Sequence, residues 1–440
     1  MFTHVDSRWN GTPPDASQIE RRPVPQACAV PRVLESCLRT YLVVSRLRRQ
    51  PMDPAGIQLK AGTCKTADAT GFQPTYAGTT QTETRAGSAS LGHVQPNEGA
   101  SISDIEAIGA DCETIEEWRW KNGIDVMKQV RLVRLVHMRY QHPNLDDITK
   151  FLQDFGMYVV KSTEDKRWFR GYGSDQYVYY AQKGPKRFLG GTYEVESYAD
   201  LEKAAKLDGA GPIEKLEDAP GGGHLVTVTD PEGFLVCFIH GQEHVEVGPI
   251  PTKMTINYEQ EKWRLREFQR FKQGPAAIHK LGHYGLCVKQ FDQQLKWYTE
   301  NFNLVPTDFL WVPTGASHRK IVAVFAHIDR GKDYVDHHTF FMSSNPTSHV
   351  HHCSFEVHDF DTQHLGHQWL ASKGYKSVWG VGRHILGSQI FDYWWDTTGN
   401  MVEHYADGDV INSETPIGHG PAGDQSLAVW GPEIPKAFLD

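Results

Sequence analysis

The chain has no long apolar run, few cysteines and no excess of positive charge. No segment approaches the ~18 consecutive apolar residues that a membrane-spanning helix needs, so we expect no membrane association. The 7 cysteines among 440 residues are scattered without a C-x-x-C pair, which is typical of reduced thiols in an intracellular protein. A formal net charge of −9 without a basic stripe argues against a nucleic-acid-binding protein.

The first part of the chain, residues 1–120, lacks any sustained hydrophobic period. It is rich in Pro, Gly, Ser, Thr and Ala, as in ADATGFQPTYAGTTQTETRAGSASLGH. Such a composition buries too little apolar surface to offset the entropy lost on ordering, so we expect a disordered extension. The segment RVLESCLRTYLVVSRLRRQ has arginines but starts late and contains Glu35. We therefore expect a cytoplasmic protein, with a mitochondrial presequence as the alternative.

From Arg131 onward the sequence becomes periodic and contains an internal repeat. Four times, a short alternating strand precedes an amphipathic helix, and segments rich in Val, Phe, Tyr and Gly follow as further strands. The four strand–helix pairs are RLVHMRY with NLDDITKFLQDFGM, GTYEVES with YADLEKAAKL, LGHYGLCV with DQQLKWYTENFN, and VHHCSFEV with DTQHLGHQWLASKG. We predict an α+β fold of four βαβββ modules in two pairs, each pair curving into an open barrel around a cavity.

The repeat also predicts the domain boundaries. The first pair of modules spans residues 131–247, and the second pair spans residues 279–410. Residues 248–278 contain several prolines and a charged middle, and we predict that they form a linker. Residues 411–440 are rich in Gly and Pro, and we expect this C-terminal extension to wrap around the surface.

Three residues of the second pair are suited to bind one metal ion. His283, His352 and Glu403 each lie in a predicted strand, in the frames LGHYGLCV, VHHCSFEV and NMVEHYADG. Two imidazoles and one carboxylate are the ligand set of non-heme Fe(II) oxygenases, and this set leaves other positions on the metal open. Because side chains alternate along a strand, we expect His351 and His404 to point away from the site.

The first pair of modules lacks two of these three ligands. When TDPEGFLVCF is aligned with DTTGNMVEHY so that Asp230 matches Asp396, Cys237 occupies the position of the carboxylate ligand. Gly190 falls at the position of the second histidine, and only His137 matches the first histidine. We therefore predict that the first pair of modules is metal-free.

Two further residues extend the pattern in the second pair. His384 precedes Tyr393 by nine positions, and Tyr393 precedes Glu403 by ten. Together with the predicted metal ligands, they resemble the type I extradiol catechol dioxygenases. These are two-domain members of the vicinal oxygen chelate superfamily, which also includes glyoxalases and bleomycin resistance proteins. The resemblance covers about residues 131–410 and is specific in the second pair of modules.

The resemblance implies an enzyme that inserts both atoms of O2 into a catechol, of the catechol 2,3-dioxygenase or 2,3-dihydroxybiphenyl 1,2-dioxygenase type. It implies Fe(II), with Mn(II) as the alternative, and O2 as the co-substrate. It also places His384 and Tyr393 beside a small-molecule catechol. We further expect a homo-oligomer, because open βαβββ modules often associate. The implied metal ligands are His283, His352 and Glu403.

Two adjacent histidines, His337 and His338 in DYVDHHTFFM, occupy the region of the acid–base histidine of this family. A neutral imidazole near the site can take a proton and later return it. Because neighbouring side chains alternate, only one of the two should face the cavity. We favour His338, which precedes His352 by 14 residues, and His337 is the alternative.

Two other functions are compatible with this fold. A non-redox metalloenzyme of the glyoxalase type usually has a fourth ligand and commonly takes ligands from both paired modules. A metal-free ligand-binding module needs no ligand triad at all. All three predicted ligands lie within one pair of modules, with His384 and Tyr393 beside them. This arrangement favours the dioxygenase.

Overall fold

The structure, a computed structural model, describes residues 111–314, 318–423 and 427–439. The predicted disorder of residues 1–110 therefore lies outside the described residues. Within the described part, no helix is long and apolar enough to cross a membrane.

The end of the predicted disordered extension differs from the prediction. Strand β1 (Cys112–Glu113) and helix α1 (Ile115–Asn122) lie in or overlap this stretch. The helix begins with a capping box, in which the side chains of Thr114 and Glu117 each accept a hydrogen bond from the backbone N–H of the other residue. Trp118 is buried, so this short helix is anchored by its apolar face.

The first pair of modules forms one eight-stranded sheet. In both modules a strand, a helix and three further strands follow one another, as the repeat predicts. The elements are β2 (Leu132–His142), α2 (Leu145–Asp154), β3 (Tyr158–Ser162), β4 (Lys166–Arg170), β5 (Tyr179–Lys183), β6 (Arg187–Val195), α3 (Tyr198–Ala204), β7 (Glu214–Lys215), β8 (His224–Thr229) and β9 (Leu235–His240). The strand order in the sheet is β3-β4-β5-β2-β6-β9-β8-β7.

The second pair of modules repeats this order and forms most of an 11-stranded sheet. Its central strands follow the order β12-β14-β10-β15-β18-β17-β16. The elements are β10 (Ile278–Val288), α4 (Phe291–Asn301), β11 (Leu304–Pro313), β12 (Arg319–Ile328), β13 (Val335–Asp336), β14 (Phe340–Ser344), β15 (His349–Val357), α5 (Phe360–Ser372), β16 (Ser377–His384), β17 (Ile390–Trp395) and β18 (Met401–Ala406).

These two curled, open sheets confirm the predicted α+β fold of four βαβββ modules. In each pair the first strands of the two modules run antiparallel, β2 with β6 and β10 with β15. Each first strand also pairs in parallel with the last strand of its own module. The predicted linker of residues 248–278 lies between β9 and β10, where the chain has neither helix nor strand before Ile278.

The helices form where the sequence provides an N-terminal capping residue and an apolar stripe. In α2, the side chain of Asn144 accepts hydrogen bonds from the first-turn N–H groups of Asp146 and Asp147. One stripe of this helix, which includes Phe151 and Leu152, is fully buried against the sheet.

One hydrophobic core continues from the first pair of modules into the second. Phe238 stacks on Phe302, with ring centroids 4.9 Å apart. The two inner strands also approach closely: a Cβ at Gly191 would lie 2.5 Å from the ring of Tyr284. The buried aromatic side of β10 therefore packs on the first pair, and its other side is left for the site.

Asn303 joins the two pairs by hydrogen bonds. Its buried side chain accepts from the backbone N–H of Leu132 at 2.6 Å and donates to the carbonyl of Leu132 at 3.1 Å. It also donates to the carbonyl of Asp329 at 3.0 Å. Backbone groups from both pairs therefore depend on one side chain.

We predict that Asn303→Ala lowers the free energy of unfolding by about 3 kcal/mol, because it leaves buried backbone groups without partners. Urea denaturation followed by circular dichroism measures this change. Asn301→Ala is the matched control, since the side chain of Asn301 donates only to the carbonyl of Trp297 in its own helix. That control should change stability by less than about 0.5 kcal/mol. Equal stability of the two variants would contradict the prediction.

Candidate metal centre

Three adjacent strands carry the three predicted ligands. His283 lies on β10, His352 on β15 and Glu403 on β18, and these strands are neighbours in the sheet. Strand β15 pairs with both others, and Ser354 lies opposite His283 on one side and opposite Glu403 on the other. All three ligand side chains are buried, with at most 5% of their surface exposed.

The ligand atoms converge on one point. The Nε2 atoms of His283 and His352 are 3.1 Å apart, and Glu403 Oε2 lies 3.1 Å from the first and 3.6 Å from the second. Three ligands bound to one ion by bonds of about 2.1 Å would be this far apart at angles of about 95–120°. Within the described residues, this is the only such cluster of three.

The protonation of His352 and Glu403 also suits a metal. Burial holds the pKa of His352 well below its ordinary value, so this imidazole is neutral. Burial would raise the pKa of Glu403, but the imidazoles of His283 and His384 outweigh it and lower this pKa. The ionised carboxylate has no well-aligned hydrogen-bond partner among the described residues. A buried carboxylate in this state fits a divalent cation, which needs deprotonated ligands.

His384 and Tyr393 lie together beside this cluster. The hydroxyl of Tyr393 is 2.9 Å from Nε2 of His384, and the His384 Nδ1 is 2.8 Å from the carbonyl of Leu427. Nε2 of His384 is 3.9 Å from Glu403. Burial, followed by the charge of Glu403, raises the pKa of Tyr393 well above its ordinary value, so the phenol stays protonated. The structure therefore brings both predicted residues to the metal centre.

The two adjacent histidines before β14 have different surroundings. His338 lines the cavity, and its ring centroid is 4.2 Å from that of His283. His337 is behind it, with Nδ1 at 3.1 Å from Nδ1 of His338 and Nε2 at 2.8 Å from Asp308. Burial, with the charges of nearby histidines, lowers the pKa of His338 well below its ordinary value. This geometry agrees with the preference for His338, whose role stays a prediction.

The expectation that His351 points away from the site is wrong. His351 Nδ1 lies 2.6 Å from Nδ1 of His352, and His351 lines the same cavity. The reason is a β-bulge: Gly285 pairs with His352, but the next residue, Leu286, pairs with Val350, and His351 is left unpaired. A bulge re-aims side chains locally, and strict alternation along a strand does not anticipate it.

His351 links the ligand His352 to the C-terminal helix α6 (Lys436–Leu439). Nε2 of His351 is 2.8 Å from the carbonyl oxygen of Phe438, which can only accept a hydrogen bond. His351 Nε2 therefore carries the proton, and its Nδ1 accepts from the Nδ1–H of His352. This leaves the lone pair of His352 on Nε2, the atom that faces the other two ligands.

His404, by contrast, points away from the site as predicted. Its Nε2 is 2.7 Å from the carbonyl of Phe155, and its ring stacks on Phe155 at a centroid distance of 3.7 Å. Strict alternation holds on this regular strand, so His404 packs in the core instead of competing with Glu403.

The first pair of modules has the same register as the second. His137 and Cys237 both lie opposite Thr192, as two of the ligands lie opposite Ser354. Gly190 precedes Thr192 by two residues, as the second ligand histidine precedes Ser354. The structure therefore agrees with the alignment of the two pairs, and the metal-free state of the first pair stays a prediction.

The C-terminal extension forms part of the site, and this differs from the expectation that it only wraps the surface. It contains β19 (Val410–Ile411), β20 (Ile417–Pro421) and β21 (Ala428–Trp430) before α6. Strand β20 pairs in parallel with β11, and β21 pairs with β16. These pairings place the extension against a cavity of about 270 Å³ that is lined by histidines of the candidate metal centre. Local composition does not reveal such long-range strand pairing.

The chain is similar in sequence to proteins of known family. The sequence profile of the Glyoxalase/Bleomycin resistance protein/Dioxygenase superfamily matches residues 280–404. The chain is 26% identical over 320 residues to metapyrocatechase 2 of Cupriavidus necator, covering 69% of this chain and 90% of that one. Residues 280–404 therefore match a domain of this superfamily, as the resemblance predicted. More particularly, the similar proteins include metapyrocatechase 2 and an extradiol ring-cleaving dioxygenase of known structure.

Solved structures show the same fold. Homoprotocatechuate 2,3-dioxygenase from Brevibacterium fuscum, in complex with 3,4-dihydroxyphenylacetate, has a TM-score of 0.58 at 17% identity, covering 72% of this chain and 94% of that one. The Mn(II)-bound glyoxalase from Novosphingobium aromaticivorans has a TM-score of 0.56 at 18% identity, covering 70% and 94%. At these identities the comparison concerns the fold alone.

We predict that Glu403→Ala and His352→Ala each weaken metal binding by more than about 100-fold, because each removes one of three ligands. The fold should persist, since the sheet pairing does not involve these side chains. Anaerobic incubation with Fe(II), desalting and metal analysis measure the change, with circular dichroism as the test of folding. Glu414→Ala, which removes an exposed carboxylate, is the control. Stoichiometric iron in either ligand variant would refute the assignment.

We also predict that His351→Phe lowers metal affinity by about 10–100-fold, because it removes the acceptor that orients His352. Anaerobic competition with a chelator measures the affinity. His351→Gln retains an acceptor and a donor and should lose less. His349→Phe should leave the affinity unchanged, because His349 lies on the same strand but its side chain hydrogen-bonds only to Thr347. An unchanged affinity in His351→Phe would show that the orientation of His352 does not depend on this contact.

Proposed function

We propose that the chain is an Fe(II)-dependent extradiol dioxygenase that inserts both atoms of O2 into a catechol and opens its ring beside the two hydroxyls. The observation that carries this proposal is the cluster of His283, His352 and Glu403 at a cavity that also contains His338 and Tyr393. Three ligands leave open positions on the metal, which a chelating substrate and O2 require.

The proposed metal has a defined task. Fe(II) bound by the two imidazoles and the carboxylate would lower the pKa of a catechol hydroxyl and would conduct electrons from the catechol ring to O2. Mn(II) is compatible with the same ligands. The ligands contribute one negative charge in total, from Glu403, so the site keeps a net positive charge that attracts an anionic catechol.

His384 and Tyr393 are proposed to bind the oxygen atoms of the substrate. The Tyr393 phenol stays protonated and can donate a hydrogen bond to a developing negative charge in the buried cavity. The Leu427 carbonyl accepts the Nδ1–H of His384, which leaves Nε2 of His384 as an acceptor, 2.9 Å from the Tyr393 hydroxyl. The phenol has a single proton, which donates to Nε2 of His384 in the free protein and would turn to the substrate oxygen on binding. Nε2 of His384 would then accept a hydrogen bond from a substrate hydroxyl.

His338 is proposed as the acid–base residue. Asp308 accepts the Nε2–H of His337, and Nδ1 of His337 accepts the Nδ1–H of His338, at distances of 2.8 and 3.1 Å. The lone pair of His338 is then on Nε2. Because burial keeps the imidazole neutral, it can take a proton from a substrate hydroxyl and later return it.

Oxygen uptake tests the proposal directly. The protein is reconstituted anaerobically with Fe(II), or with Mn(II) in parallel, and 4-methylcatechol is added with O2. We expect one O2 consumed per catechol and a coloured ring-opened product. Tight metal binding without oxygen uptake on any catechol would instead support the non-redox metalloenzyme of the glyoxalase type. Failure to bind any metal would support the metal-free ligand-binding module.

We predict that His338→Phe retains stoichiometric iron but lowers kcat by about 10²–10⁴-fold, because it removes the proton acceptor. Stopped-flow oxygen uptake and metal analysis of the same preparation measure the two quantities. His337→Phe should have a smaller effect on kcat, since it removes only the group behind His338. A larger loss in His337→Phe than in His338→Phe would reverse the assignment within this pair.

A further inference from the structure

We infer that the catechol cleaved by this protein carries a neutral, mainly apolar ring substituent and not a carboxylate. This inference rests on the proposed function and concerns the part of the cavity away from the metal. It follows from the lining of the cavity, from the segment that supplies one wall, and from the electrostatics of a buried anion.

The cavity wall beyond the metal centre contains no charged side chain. None of the described residues that line it is Lys, Arg, Asp or Glu. The described part of the wall therefore offers no cationic partner for a carboxylate.

Apolar side chains form a separate cluster on this wall. Leu310 and Ala323 come from β11 and β12, and Leu386 comes from the turn after β16. Each of the three is buried. Together they offer a surface that gains free energy by covering an alkyl or aryl group.

The C-terminal extension completes the apolar wall. Ala422 and Leu427 pack against the cluster, and Phe438 closes the cavity from another side. The extension lies beyond residues 280–404, to which the superfamily profile matches. Preference for the substituent is therefore set partly by a segment outside that match.

The remaining polar side chains of the wall are also uncharged. They are Ser343, Ser344, Asn345 and Gln389. Gln389 is 1% exposed, and its Oε1 has no hydrogen-bond partner among the described residues, so it can accept from a neutral hydroxyl or N–H group. Neutral hydroxyls and amides can hydrogen-bond a substituent, but they do not balance the charge of a buried carboxylate.

A carboxylated substrate would bury its charge in this cavity without a cationic partner on the wall. The carboxyl group of 3,4-dihydroxyphenylacetate has a pKa near 4 and is ionised at neutral pH. Transfer of an unpaired carboxylate from water to an apolar wall costs several kcal/mol, whereas its methyl ester loses little. The ester and the acid share one carbon skeleton and differ mainly in this charge.

The test compares these two compounds as substrates of the Fe(II)-reconstituted full-length protein. We expect kcat/KM for methyl 3,4-dihydroxyphenylacetate to exceed that for the acid by at least about 100-fold. Equal values, or a preference for the acid, would overturn the inference and leave the dioxygenase proposal intact. If the protein consumed no oxygen with the ester, the acid or 4-methylcatechol, the proposed function itself would be overturned.

A variant provides a second test of the same inference. Val322 lines the cavity and is only half-buried, so Val322→Lys can place a cation at the wall without burying it fully. We expect this change to reduce the ester-to-acid ratio by about tenfold or more. Val322→Met adds a similar length without charge and should keep the wild-type ratio. If Val322→Lys kept the wild-type ratio as well, charge at the wall would not determine the preference.

Discussion

The hydrogen-bonded register of strand β15 is the constraint on which the candidate metal centre depends. Ser354 on this strand lies opposite His283 on one neighbour and opposite Glu403 on the other, and His352 lies two residues away. Because side chains alternate across a sheet, a one-residue slip of either neighbour would turn a ligand to the opposite face. The aromatic core behind β10 stabilises this register, since it buries the side of the strand that faces away from the cavity.

The electrostatics of the site follow from this geometry. Glu403 is fully buried, its pKa is lowered, and burial keeps His352 neutral, so a divalent cation would balance the buried carboxylate. Two chains of hydrogen bonds reach the site from behind. Asp308 and His337 orient His338, whereas the Phe438 carbonyl and His351 orient His352. In both chains a group that only accepts hydrogen bonds determines which imidazole nitrogen faces the cavity.

The C-terminal extension contributes more to the site than its composition suggests. Its backbone carbonyls at Leu427 and Phe438 accept hydrogen bonds from two histidines of the site. Its side chains form part of the apolar wall. One segment therefore orients imidazoles and shapes the space for the substrate substituent. Changes in this segment would alter metal affinity and substrate preference together.

The sequence by itself determined the four modules, because strand alternation and helical stripes are local patterns that repeat. It also predicted the three candidate ligands that the fold brings together, since the internal alignment selects His352 and finds Gly190 and Cys237 at equivalent positions of the first pair. Only the tertiary structure decided the place of His351, because the bulge arises from the pairing of β15 with β10. It likewise decided the role of the extension, since strands such as β20 pair with residues about 100 positions away, and local patterns do not encode such contacts.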